Sequence, residues 1–236
     1  MSASSFDLAF EKVKGLVATF QANESRYLSP VYQEAEARKD FIDKFFTALG
    51  WDVNHDEQTN PYEQEVKVEP PVSASGQRRA DYAFHIAPNY RDVRFFVEAK
   101  KPYRDIATAE NYFQTIRYAW NSETPLAVLT DFDQFHVLDC RYKPDIATAL
   151  SRNYRSYDYR EYTNQNKFAE IYWLFSREAV GNGSLQKHAA EMPKPRGKAV
   201  QHGLFRGGYQ SIDESFLEEL DEYRITLVYR PGNTFT

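Results

Sequence analysis

Apolar and polar positions divide the chain into alternating helical and extended segments. Phe6, Phe10, Val13, Val17 and Phe20 recur at helical spacing and predict an amphipathic helix over 6–20. A second helix is predicted over 32–49. Phe41, Ile42, Phe45, Phe46 and Leu49 form its apolar stripe, and Gly50 is its C-terminal stop. Residues 64–68 alternate as a strand, which Pro70 and Pro71 break. Two further strands are predicted over 81–86 and 93–100, with turn chemistry at Pro88 and Asn89 between them. A helix over 106–120 follows, with Ala109, Tyr112 or Phe113, Ile116 and Trp120 facing inward. Strands over 126–130 and 134–138 flank Asp131, Phe132 and Asp133. Residues 142–162 show no period and read as irregular surface. A strongly apolar helix over 168–175 packs on the sheet.

The order is helix, three strands, helix, two strands. A helix between strands implies a crossover, so the expected fold is α/β with a mixed central sheet flanked by helices. After Ser184 the composition changes. Residues 192–208 form a Pro/Gly/Lys linker, and Ser211 to Glu214 is a capping box opening a helix to about Tyr223. This divides the chain into a core domain over 1–180 and a helical C-terminal extension over 181–236.

Composition narrows the function classes. The lone Cys140 can form no internal disulfide and reads as a small buried hydrophobe, and the five histidines show no metal spacing. There is no run of 18 apolar residues and no leader-like apolar segment, so a cytoplasmic protein without membrane spans is expected. The net charge of −5 argues against a protein that coats DNA. Its distribution tells more. Between Gln77 and Arg104, seven basic residues (Arg78, Arg79, Arg91, Arg94, Lys100, Lys101, Arg104) face three acids (Asp81, Asp92, Glu98), a local excess of four positive charges. Such a basic surround suits a site that attracts phosphates.

The acids inside that region carry the chemistry. Asp81, Ala83 and His85 share one strand face; Glu98 and Lys100 share one face of the next strand. Pairing the two strands lets Asp81 meet Glu98, with Lys100 beside them. Two converging carboxylates make an all-oxygen site suited to Mg²⁺, and a neighbouring ammonium can orient a water for attack on a phosphate. The bland alternative is a solvated cross-strand ion pair of small energetic weight. Gln114 and Tyr118, four apart, are neighbours on the outer face of the helix that follows. Glu34 and Arg38 are likewise four apart on the second helix. Arg152, Arg155 and Arg160, interleaved with Tyr154, Tyr157 and Tyr159, read as a polar flap over the core, with DNA contact as the alternative. His85, on the Asp81 face, could support the site from behind.

The acid, hairpin and E-x-K arrangement of Asp81, Glu98 and Lys100 resembles the signature of the PD-(D/E)XK nuclease superfamily. The Q-x-x-x-Y pair Gln114 and Tyr118 is similar to the extra motif of RecB-like nucleases and type I restriction R subunits. The E-A-x-x-R…F-I-D…A-L-G-W-D run over 34–52 looks like the first helix of nuclease domains in type I R subunits and type IIG restriction–modification enzymes. The stretch over 125–139 resembles their core strand pair, and 209–224 resembles the type IIG connector to a methyltransferase. The resemblance implies a restriction-endonuclease-like core and a Mg²⁺-dependent DNA endonuclease, with Mn²⁺ able to substitute. It makes Asp81, Glu98 and the Ala99 carbonyl the metal ligands and Lys100 catalytic. Glu34 is the additional catalytic acid, with Glu36 its competitor while the register is open. It puts Gln114, Tyr118, Arg78, Arg79 and Lys101 against double-stranded DNA. It also implies methyltransferase and target-recognition domains in the same or a partner chain. No motif of these is present, so the chain reads as a truncated one. A catalytically inactive DNA-binding or interaction module of the same fold is the alternative.

Overall fold

The computed structural model describes residues 4–58, 60–68 and 80–193. Helix α1 (Ser5–Ala22) starts at a capping box in which Ser4 and Asp7 satisfy each other's backbone N–H groups. It buries Ala9, Val13, Val17 and Phe20, one stripe at helical spacing. A single turn, α2 (Glu24–Tyr27), leads to α3 (Glu34–Ala37). The helix continues through a π-helical turn (Arg38–Ile42) into α4 (Asp43–Ala48). It ends as predicted at Gly50, whose φ of 92° permits the Trp51 N–H to reach the Phe46 carbonyl and the Gly50 N–H that of Thr47.

Six strands then form one sheet in chain order: β1 (Val66–Val68), β2 (Tyr82–Phe84), β3 (Phe95–Ala99), β4 (Leu126–Thr130), β5 (Gln134–Asp139) and β6 (Asn153–Asp158). Helix α5 (Ala109–Asn121) crosses between β3 and β4, which are therefore parallel; the other neighbouring pairs are antiparallel. Helices α6 (Gln165–Phe175), α7 (Arg177–Gly181) and α8 (Ser184–Glu191) complete the described chain. The expected α/β fold with a mixed, helix-flanked sheet is present, and it is compatible with a restriction-endonuclease-like core.

The sheet separates two apolar clusters. On one side Val97, Ala99, Leu126 and Val128 pack with residues of α1, α4 and α6. On the other, Ala127, Leu129 and Leu138 pack under Tyr112, Ile116 and Ala119 of α5. The continuous apolar run of β4 thus serves both faces, as befits a central strand. Phe84 and Phe95 stack across β2 and β3 at 4.2 Å, with Trp51 4.9 Å from Phe84 and 5.8 Å from Phe95. This pair helps fix the register Tyr82–Val97, and a one-residue slip would turn Asp81 to the wrong face.

Several expectations need correction. The segment over 142–162 is not irregular throughout: it supplies edge strand β6, in which only Tyr157 is fully buried, so no apolar alternation marks it. Helix α5 begins at Ala109, where Thr108 caps it, and its buried stripe is Tyr112, Thr115, Ile116 and Ala119. Ala109 and Trp120 are only half-buried. A threonine takes an inward place because its hydroxyl bonds the Asn111 carbonyl at 2.8 Å. Beyond residue 180, Leu185 and Met192 belong to the larger cluster. The connector helix expected at 211–223 lies outside the described residues. Among the described residues, no helix is long and apolar enough to cross a membrane.

Candidate active site

The β2–β3 register brings Asp81, just before β2, alongside Glu98. Asp81 is fixed at both oxygens. Oδ2 accepts the Ala99 N–H at 2.8 Å and Oδ1 accepts Arg38 Nη1 at 3.1 Å. Glu98 is 3% exposed and uses one oxygen for two partners: Oε1 accepts Lys100 Nζ at 2.6 Å and Gln114 Nε2 at 2.7 Å. Its other oxygen, Oε2, is buried with no hydrogen-bond partner among the described residues. An unpartnered buried carboxylate oxygen is costly unless something satisfies it.

Gln114 Nε2 also donates to the Tyr118 hydroxyl at 3.2 Å. Both amide protons are thereby committed, to Glu98 and to Tyr118, while the Tyr118 O–H remains a donor. The amide orients the carboxylate, and the phenol is the group left to meet a ligand oxygen.

Glu34 opens α3 and stands in the field of Asp81 and Lys100. Burial and then Asp81 raise its carboxyl above the ordinary value, against the pull of Lys100, Arg38 and Lys101. Glu36 is spent elsewhere, accepting the Gln33 N–H at 2.8 Å as part of the helix cap. The structure therefore brings Glu34, and not Glu36, to the site. Glu98 is pushed up to about 7, first by burial and further by Asp81 and Glu34, with Lys100 opposing. Asp81 and Glu34 thus act on Glu98 through their charge, while Asp81 is paired with Arg38 and Glu98 with Lys100.

A cavity of about 350 Å³ opens beside Glu34 and Lys100, lined also by Lys101, Arg104, Asp105 and Asn111. Lys101 reaches Gln33 Oε1 at 2.8 Å from its rim. Hollows of about 380 and 610 Å³ occur elsewhere, the first beside Trp173 and His188, the second among Asp52, Asp56, Glu57 and Arg177. Neither is lined by Glu34 or Lys100, so the 350 Å³ cavity is the one that reaches the lysine bonded to Glu98.

Other predicted residues fall into place or away from it. Arg78 and Arg79 lie outside the described residues. His85 is buried, with Nδ1 on the Asp92 carbonyl at 3.2 Å; burial and then Lys67 push it down to about 4. No hydrogen bond among the described residues joins it to the carboxylates. Arg155 pairs with Glu170 at 3.3 Å, Arg160 with Asp158 at 3.2 Å, and Arg152 stacks on Tyr142 at 3.8 Å. These arginines serve internal contacts of a polar flap. Among the described residues no three His, Cys, Asp or Glu side chains form a ready metal cluster. Asp81 and Glu98 are the pair, and Glu34 is felt through its field.

Sequence reasoning missed a chain of polar contacts behind Asp81. Tyr82 donates to Asp43 Oδ1 at 2.6 Å and accepts from Arg38 Nε at 3.1 Å. Arg38 lies four residues after Glu34, and its charge is felt there, but its guanidinium bonds Asp81 and Tyr82 from the first residue of the π-helical turn. No signal in the sequence marks that turn.

No family model matches the chain, and no solved structure matches it. It is similar to a curated protein of Escherichia coli, the type II restriction enzyme and methyltransferase RM.Eco57I. The two are 29% identical over 223 residues, which cover 92% of this chain and 21% of that protein. The chain spans about a fifth of the length of this relative.

Proposed function

We propose that this chain is the DNA-cleaving part of a restriction–modification enzyme, hydrolysing phosphodiester bonds at a Mg²⁺-dependent PD-(D/E)XK-type site. The observation that carries the proposal is the state of Glu98. One of its oxygens is saturated by Lys100 and Gln114, and the other is buried and unpartnered beside a second acid. That donor set fits a hard divalent cation, which favours carboxylate oxygen and keeps waters of its own. Similarity to a restriction enzyme and methyltransferase along most of the chain supports the same reading. By analogy with that relative, methyltransferase and target-recognition parts would lie in the same or a partner chain, and the sequence after α8 would lead toward them.

Asp81, Glu98 and the Ala99 carbonyl would hold Mg²⁺, or Mn²⁺ in its place, with Glu34 as an additional acid. When bound, the cation polarises the scissile phosphate and acidifies a coordinated water. Lys100 keeps one N–H on Glu98 Oε1. Its remaining protons are free to orient the attacking water and to stabilise charge developing on phosphoryl oxygens. Gln114 locks the Glu98 rotamer, and Tyr118 offers its hydroxyl proton to a neighbouring backbone phosphate. Lys101, with Arg78 and Arg79, supplies sequence-independent attraction for the duplex.

The test is incubation of supercoiled plasmid with the full chain and Mg²⁺. Wild type is expected to cut. Asp81→Ala, Glu98→Ala and Lys100→Ala are each expected to abolish cutting while keeping a cooperative melt. Full Mg²⁺-dependent activity in Lys100→Ala would sink the assignment. DNA binding by wild type with no cutting under any divalent cation would favour the inactive module instead.

A further inference from the structure

Arg38 has no part in the chemistry above, yet it holds one oxygen of a proposed cation ligand. Its Nη1 lies 3.1 Å from Asp81 Oδ1. The pair is largely enclosed, with side-chain exposures of 14% and 10%, so water screens it poorly. Asp81 does not need Arg38 for its orientation, because the Ala99 N–H anchors Oδ2 at 2.8 Å. Nor does Arg38 need Asp81. Its Nε bonds the Tyr82 hydroxyl at 3.1 Å, and its guanidinium lies 4.7 Å from the centroid of the Tyr82 ring. The two groups are held independently and meet at the oxygen that a metal would claim.

Resting on the metal-dependent reading, we propose that Arg38 is a resident counter-ion that a divalent cation must displace from Asp81, making metal loading conditional on the nucleic-acid phosphate. Formal charges give the reason. Glu34, Asp43, Asp81 and Glu98 against Arg38, Lys100 and Lys101 leave the pocket one net negative charge. A divalent cation alone converts this to one net positive charge in a poorly solvated place, which is unfavourable. A phosphodiester arriving with it restores neutrality. Metal and nucleic acid must then strengthen each other's binding by the same factor. Without Arg38 the cation alone would neutralise the pocket.

The test is Mn²⁺ binding to the full chain in the absence of nucleic acid, followed through the electron paramagnetic resonance signal of free Mn²⁺. Arg38→Gln is expected to tighten binding about tenfold, the lower end of what a close charge does to a carboxylate's affinity for a cation such as the proton. Arg38→Lys keeps the charge and is expected to stay within about twofold of wild type. Arg38→Met retains an apolar contact with the Tyr82 ring, is expected to match Arg38→Gln, and serves if the glutamine variant does not melt cooperatively. Damage to the fold would weaken binding and cannot imitate tightening. Unchanged or weaker binding in the neutral variants, with Asp81→Asn still losing affinity, overturns the counter-ion role. If Asp81→Asn binds Mn²⁺ as wild type does, the metal reading fails first and this proposal goes with it.

Discussion

Replacing Glu98 by glutamine isolates the energetic cost of its carboxylate. Burial raises the group from an ordinary 4.5 to about 7, Asp81 and Glu34 add to the rise, and Lys100 opposes it. The unfolded chain releases this proton near pH 4.5; the folded chain keeps it until about pH 7. Between those values the folded state binds more protons, so its stability falls as pH rises, and the loss is complete above the folded value. The difference corresponds to on the order of 3 kcal/mol. Little of this is screened, since the side chain is 4% exposed. Glutamine is close in shape to the protonated acid and does not titrate. Wild type and Glu98→Gln are therefore expected to have similar stability near pH 4.5, with the variant more stable by about 3 kcal/mol near pH 8. The assay is urea unfolding with EDTA at a series of pH values, compared as the difference between the two proteins so that other titrating groups cancel. A difference that does not change with pH, or a variant less stable near pH 8, would refute the reasoning.

Two further outcomes are expected. Gln114→Ala removes one of the two donors on Glu98 Oε1 and should lower metal-dependent kcat/KM by roughly ten- to a hundredfold with little change in melting temperature; an unchanged value would mean the amide does not orient Glu98. Arg141 is buried, forks onto both oxygens of Asp139 at 2.8 Å, and donates to the Ala189 and Pro193 carbonyls at 3.1 Å, closing the end of α8. Arg141→Ala leaves that carboxylate unpaired and should cost about 3–5 kcal/mol by urea unfolding; a cost under about 1 kcal/mol would mean water already satisfies Asp139.

The part of the fold that positions the site was legible because its signals are local. Strand β4 is an unbroken apolar run between turns, and Gly50 stops α4 where the apolar stripe ends. The two-residue alternation of strands sufficed to put Asp81 beside Glu98, and helical spacing put Gln114 beside Tyr118. What escaped depends on contacts between distant segments. Strand β6 is an edge in which only Tyr157 is fully buried, so its own sequence shows no period. Arg38 bonds Asp81 and Tyr82, residues more than 40 positions away that no helical spacing could pair with it. The phenol of Tyr82 lies on the apolar face of its strand, and only the approach of α4 gives it Asp43. The commitment of both Gln114 protons is likewise invisible until Glu98 and Tyr118 stand around it.

The most direct measurement is the anomalous scattering of Mn²⁺ soaked into crystals of the chain. The account predicts a peak at the Asp81 and Glu98 carboxylates, with Arg38 Nη1 drawn away from Asp81. A peak elsewhere, with Arg38 and Asp81 still joined and Glu98 Oε2 still bare, would contradict it.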